Sequence, residues 1–237
     1  MTLNEWKNNV IDYNSGLNEK LQSSSTAKKL YYGFEVIDGK LKGKPNILFI
    51  GINPGRGDGD RHYTTKLQSK ELSYLDVYDE GYKVDYPNRY HLAEKMIRFF
   101  HLMEWSDEKI IELLTNKAVK TNFFHVATNN RNDINKALNT IEKGFHHSYF
   151  NKSAEFTMSL IEIIKPKLVI LEGKAVFDAI VVGCCEQHKL WNENKFGCYF
   201  DKKLNTQFIG FDRTFSNANR DVFVKELKEL IDINQIS

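Results

Sequence analysis

Proline is scarce in this chain, at four residues in 237, and cysteine is scarcer, at three. So little proline beside 13% aromatic residues argues against a disordered polypeptide. Cys184, Cys185 and Cys198 are odd in number and form no C-x-x-C pair. That argues against a disulfide framework, a zinc ribbon and a four-cysteine iron–sulfur cluster. The three read as reduced, structural thiols. Apolar runs such as 47–50 and 179–182 fall far short of the ~18 residues of a membrane span. No charge sign dominates: Lys plus Arg is 33, Asp plus Glu 31, and the net charge is +2. This balance excludes a polycationic tail but leaves room for a local basic groove. Residues 1–9 are polar and show no signal-peptide apolar core. The expectation is a cytoplasmic protein, nuclear if the cell has a nucleus, monomeric and without membrane contact.

What the chain does have is length and apolar content. With 41% hydrophobic residues it can bury ~70% of its unfolded surface without a metal or a disulfide. No repeat or linker divides it, so a single domain over 1–237 is expected, with residues 1–44 as an extension and 45–231 as the core. A polar helix is predicted over 3–22, striped by Trp6, Val10 and Leu17. Asp38-Gly39 between 31–37 and Leu41 predicts a hairpin. The continuous apolar run 46–50 predicts a strand buried on both faces. Further strands are expected at 119–126, 168–171 and 207–211. Helices are expected over 90–105, from Ser106, over 153–164, from Gly173 and over 219–231. The stretch 55–89 lacks periodicity and reads as a long functional loop. Strands alternating with helices imply a three-layer α/β/α domain with a mostly parallel sheet. Ligands of such sheets bind beyond the carboxyl ends of the strands, which is where chemistry should be sought.

The first strand ends in Gly51-Ile52-Asn53-Pro54-Gly55. Two glycines permit close backbone approach, Pro54 stiffens the turn, and Asn53 is left as a polar group just outside an apolar strand. A dinucleotide fingerprint fails here, because Asp60 stands where its third glycine belongs. No P-loop lysine is present. Asp58, Asp60 and His62 have calcium-loop spacing, but Tyr63 replaces the required glycine and Ser69 the final glutamate. No metal and no cofactor is expected.

Ile50-Gly51-Ile52-Asn53-Pro54-Gly55 resembles the first motif of the uracil-DNA glycosylase superfamily, in its mismatch-specific uracil/thymine form. Thr121-Asn122-Phe123-Phe124-His125-Val126, leading to Asn129-Asn130-Arg131, is similar to the middle segment of the family 4 uracil glycosylases. The run from Lys167 through Glu172-Gly173-Lys174 to Ala175 resembles the strand–Gly–helix unit that follows it. The resemblance covers roughly residues 45–231. It departs at the last motif, where Thr214-Phe215-Ser216 stands for His-Pro-Ser or Met-Pro-Ser, and the family 4 cluster cysteines have no counterpart.

The resemblance implies a uracil-DNA glycosylase-like fold and hydrolysis of the N-glycosidic bond of a deaminated or mismatched base in DNA. Such enzymes extrude the base into a pocket. On this reading Asn53 orients a water and Thr214 stands where the leaving base is usually met. Gly51, Ile52, Gly55, Tyr63, Asn122 and Phe123 line the base, with Asn122 reading its edge and Tyr63, Tyr74 or Phe123 stacking on it. Lys174, Ser216 and Asn217 hold DNA phosphates. Two other readings stay open: a non-catalytic nucleobase- or nucleic-acid-binding module of the same fold, and an unrelated flavodoxin-like enzyme with a phosphate-bearing ligand at the first turn. His125 reads as a packed or surface histidine. Lys117, Lys120, Arg131, Lys136 and Lys143 read as solvated surface or as a basic flank.

Overall fold

The structure, a computed structural model, describes residues 1–40, 44–55, 66–68, 72–79, 91–188 and 190–236. In chain order its elements are α1 (Leu3–Ser23), β1 (Glu35–Ile37), β2 (Ile47–Gly51), β3 (Lys66–Gln68), α2 (Asp76–Asp79), α3 (His91–Leu102), α4 (Asp107–Asn116), β4 (Ala118–Asn122), α5 (Arg131–Leu138), α6 (Phe145–Ile164), β5 (Leu168–Leu171), α7 (Lys174–Phe177), β6 (Phe196–Asp201), β7 (Thr206–Phe211) and α8 (Asn217–Ile233). The fold is α/β, around a five-stranded sheet of order β4-β2-β5-β7-β6. β2, β5 and β7 run parallel, and β6 closes the edge antiparallel to β7.

Residues group into two compact units. One comprises Met1–Ile37, Gly51–Gln68 and Thr121–Ile164; the other comprises Asp38–Ile50, Ser69–Lys120 and Lys165–Ser237. The division passes through β2 and β4, whose last residues count with the first unit.

In the second unit the runs 47–50 and Leu168–Leu171 are apolar and buried at every position because both faces are covered. Ile47, Phe49, Leu168, Ile170, Ile209 and Phe211 form one core with the apolar faces of α3, α4 and α8. On α3 these are Met96, Ile97, Phe99 and Phe100, the 3–4 spacing of a helix that buries one side. Ser106 caps α4 by accepting from the Lys109 N–H, with Asp107 and Glu108 in the first turn, as predicted. Phe177 of α7 packs so closely over Gly210 that an added Cβ there would lie 2.6 Å from its ring. After Phe177 the helix widens into a π turn, Asp178–Val182.

The first unit packs α1 against α6. Trp6, Val10, Leu17 and Leu21 of α1 are buried. The Trp6 indole N–H donates to the Phe156 carbonyl at 2.8 Å, and Tyr13 packs on Tyr149 and Phe156. Thr2 and Glu5 make a reciprocal capping box at the start of α1.

Of the hairpin expected over 31–41, the first arm takes other partners among the described residues. Phe34 instead bridges antiparallel to Val126, with Glu35 N–H to His125 O at 2.9 Å and Ala127 N–H to Gly33 O at 2.8 Å. β1 also pairs with β3 in parallel, while Leu41 lies outside the described residues. Within the loop expected at 55–89, residues 73–79 are helical, with Leu72, Tyr74 and Leu75 buried.

Candidate functional site at the strand ends

The turn leaving β2 is laced to the chain leaving β4 within the first unit. Phe123 N–H donates to Gly51 O at 2.8 Å, Phe124 N–H to Ile52 O at 2.9 Å, and Thr128 N–H to Pro54 O at 3.2 Å. Gly51 and Pro54 are buried, Ile52 and Asn53 half-buried, and Gly55 exposed. Asn53 is thereby held on a backbone that has little freedom left.

Its amide is held too. Nδ2 donates to Pro54 O at 2.8 Å and lies 3.2 Å from both the carbonyl and the hydroxyl oxygen of Thr128. Thr128 Oγ1 spends its own proton on Asn130 O at 2.8 Å, so it can only accept from Asn53. Reversing the amide would set its oxygen against two carbonyls, so the chemistry fixes which end is which. Oδ1 has no donor among the described residues, which leaves one oriented acceptor at the end of a buried strand.

Asn122 is 2% exposed, and its Nδ2 faces Glu35 Oε1 at 3.4 Å. The structure therefore brings both strand-end asparagines into the first unit. Phe123 does not offer an open stacking face: it is fully buried, with its ring against Phe124 and Phe150 at 4.9 and 5.1 Å. Tyr74 is fully buried as well, edge-on to Phe49. Tyr63 lies outside the described residues. His125 is fully buried beside Trp6 and Phe156, and burial lowers its pKa to about 4, so it is a neutral core ring.

The remaining candidates belong to the second unit. Thr214 donates its hydroxyl to Asp212 Oδ1 at 2.9 Å, and its N–H goes to the same oxygen. Ser216 caps α8, accepting from the Asn219 N–H. Asn217 begins that helix and lines a cleft against α3. Lys174 pairs with Asp178 one turn on at 2.6–2.8 Å and lies over the Trp191 ring. Lys174 and Ser216 thus have internal partners where the sequence suggests phosphate contacts.

Sequence reasoning missed a buried charged cluster formed from the middle of β4 and the residue just past β5. Lys120 and Glu172 have side chains 5% and 0% exposed, with Nζ and Oε2 3.3 Å apart. Asp38, also buried, accepts from the Ser73 N–H at 3.0 Å and from its hydroxyl. Gly173 turns the chain after Glu172 at φ +130°, a conformation that side chains resist. Arg213 Nε donates to the Glu172 carbonyl at 2.8 Å. Burial raises Glu172 to about 8, with Asp38 adding to the rise and Arg213 opposing it. The signal was present: a lysine inside 118–122 and a glutamate ending 168–172 interrupt runs that the fold buries, and buried charges require partners.

Among the described residues no group of His, Cys, Asp or Glu could hold a metal ion, and no helix is long and apolar enough to cross a membrane. Cys184, Cys185 and Cys198 are free thiols, raised by burial to about 11, 12 and 12. No protein-family model and no curated protein sequence matches the chain.

Proposed function

We propose that this protein is a uracil-DNA glycosylase-like hydrolase that cleaves the N-glycosidic bond of a deaminated or mismatched base in DNA. The observation that carries the reading is the Asn53 amide, clamped through its nitrogen by Pro54 and Thr128 with Oδ1 left to accept. An acceptor in that state holds a water by one O–H and so aims its lone pair. The water oxygen bonds to C1′ as the C1′–N bond breaks. The base departs with the bonding electrons, and the water's proton passes to the base or to solvent. An amide has no useful basicity, so it positions the water and does not deprotonate it. Asn122, on the neighbouring strand exit, is the group for the edge of the extruded base.

One observation favours a non-catalytic module of the same fold. Thr214 already gives its hydroxyl proton to Asp212, so it has none left for a departing base.

The deciding experiment incubates the protein with oligonucleotides carrying uracil, hypoxanthine, xanthine or mismatched thymine and scores abasic sites. Asn53→Ala should slow release by about 10²-fold or more with an unchanged far-UV spectrum, as loss of one positioned polar group does. Equal turnover by variant and parent removes Asn53 from the mechanism. Retention of the oligonucleotides with no abasic site from any of them leaves the binding module.

A further inference from the structure

Between α3 and the start of α8 the second unit contains a cleft of about 550 Å³, within the size range of small-ligand sites. Its lining carries three basic side chains, Lys95, Arg98 and Arg220, against one carboxylate, Glu94. The exposed Arg98 has no ion-pair partner among the described residues. Arg220 meets the exposed Asp221 at 3.0 Å. Lys95 donates to the Arg213 carbonyl and stands 5.4 Å over the Phe215 ring. Burial lowers the Lys95 pKa and the Arg213 charge lowers it further, with Asp212 opposing. Cations crowded together in this way gain from an anion between them.

α8 opens on the same cleft through Asn217. Ser216 satisfies the Asn219 N–H, while the N–H groups of Asn217 and Ala218 have no acceptor among the described residues. A helix of 17 residues adds its positive end there. The space is far larger than one phosphate needs, and half-buried Phe215 supplies an apolar wall, backed by Phe99, Phe211 and Phe223.

We propose that this cleft binds a nucleotide, with its phosphate held by Lys95, Arg98, Arg220 and the first turn of α8, and its base laid along Phe215. The cations supply charge, the helix supplies directed N–H groups, and a ring can take any base face. The nucleotide is either free or one unit of a DNA strand, since both present the same phosphate and base. The assignment does not rest on hydrolysis at Asn53 and survives if that reading fails.

The test titrates the intact protein with thymidine 5′-monophosphate, thymidine and inorganic phosphate by calorimetry. A fluorescein-labelled ten-residue oligothymidylate is followed in parallel by anisotropy. The nucleotide should bind at least tenfold more tightly than either thymidine or phosphate alone. Arg98→Gln/Arg220→Gln should lose tenfold or more, and Arg98→Glu, at an exposed position, serves if the double variant does not fold. An oligonucleotide that binds tenfold tighter than the nucleotide and is displaced by it assigns the cleft to a strand. The reverse order assigns it to the free nucleotide. Equal affinity for phosphate and nucleotide, no binding at millimolar concentration, or undiminished binding by Arg98→Glu overturns the proposal.

Discussion

At the scale of single residues, Glu172 shows how burial sets protonation. A carboxyl removed from water favours its neutral form, and the nearby Arg213 charge offsets only part of that cost. Held at about 8 against an ordinary 4.5, Glu172 is mostly protonated at neutral pH, and neither of its carboxyl oxygens has a hydrogen-bond partner among the described residues. Between pH 4.5 and about 8 the folded chain therefore binds more protons than the unfolded chain. Glu172 thus lowers stability as pH rises through that window, by on the order of a few kcal/mol. His125 acts in the opposite direction. Lowered to about 4 from 6.5, it leaves the unfolded chain with more protons between those values, so stability falls as pH drops through them. Urea denaturation at pH 5, 6.5 and 8 should show the decline between pH 6.5 and 8, above the His125 window, and Glu172→Gln should flatten it while steepening the His125-driven rise from pH 5 to 6.5. A decline of the same slope in the variant would place its origin elsewhere.

At the scale of elements, the closest packing is between α7 and the β6–β7 pair. Gly197 and Gly210 face each other across these strands, and Phe177 lies on both. A methyl at residue 210 would meet the Phe177 ring at 2.6 Å and its Cβ at 3.1 Å, so rotating the ring would not clear it. Gly210→Ala should cost about 1–3 kcal/mol, the usual range for an overfilled core. Thermal melts would measure it, and an unchanged midpoint would mean that α7 yields more easily than its packing implies. The same pair shows what was legible beforehand. Residues 207–211 read as a strand because their apolar run is continuous, while 196–201, broken by Gly197 and ending in Asp201, does not reveal that it pairs antiparallel along the edge. α5 is short and polar, and its Asn130 cap shows only once the turn before it is seen. Asn53 was legible because glycine and proline around a strand end mark a presented side chain. Phe123 was not, since a residue just past a strand can turn inward as readily as outward. Nor did the sequence separate Lys120, in the core, from Lys117 and Lys136, which pair with Glu112 and Asp133.

At the scale of the molecule, chain order and spatial order disagree. Each unit is assembled from three separate stretches, and the backbone passes from one to the other after residues 37, 50, 68, 120 and 164. A fragment ending at Ile164 keeps every stretch of the first unit but lacks β5, against which β2 is paired in register, and β7, which pairs with β5. Ile47 and Phe49 would then lose the apolar partners at Leu168, Ile170 and Ile209 that bury them. The fragment 1–164 should unfold without a sharp transition and bind a hydrophobic dye, whereas cooperative melting would show that β2 does not need β5.

That interleaving also bears on how such a protein can change over time. Most two-part proteins can be rearranged as cassettes, by a single recombination event at the joint. Here no joint exists: a crossover at any one point leaves at least one unit in pieces, and a tandem fusion or swap would have to cut the gene in several places at once. The two units are therefore bound to a shared history, inherited, duplicated or lost together.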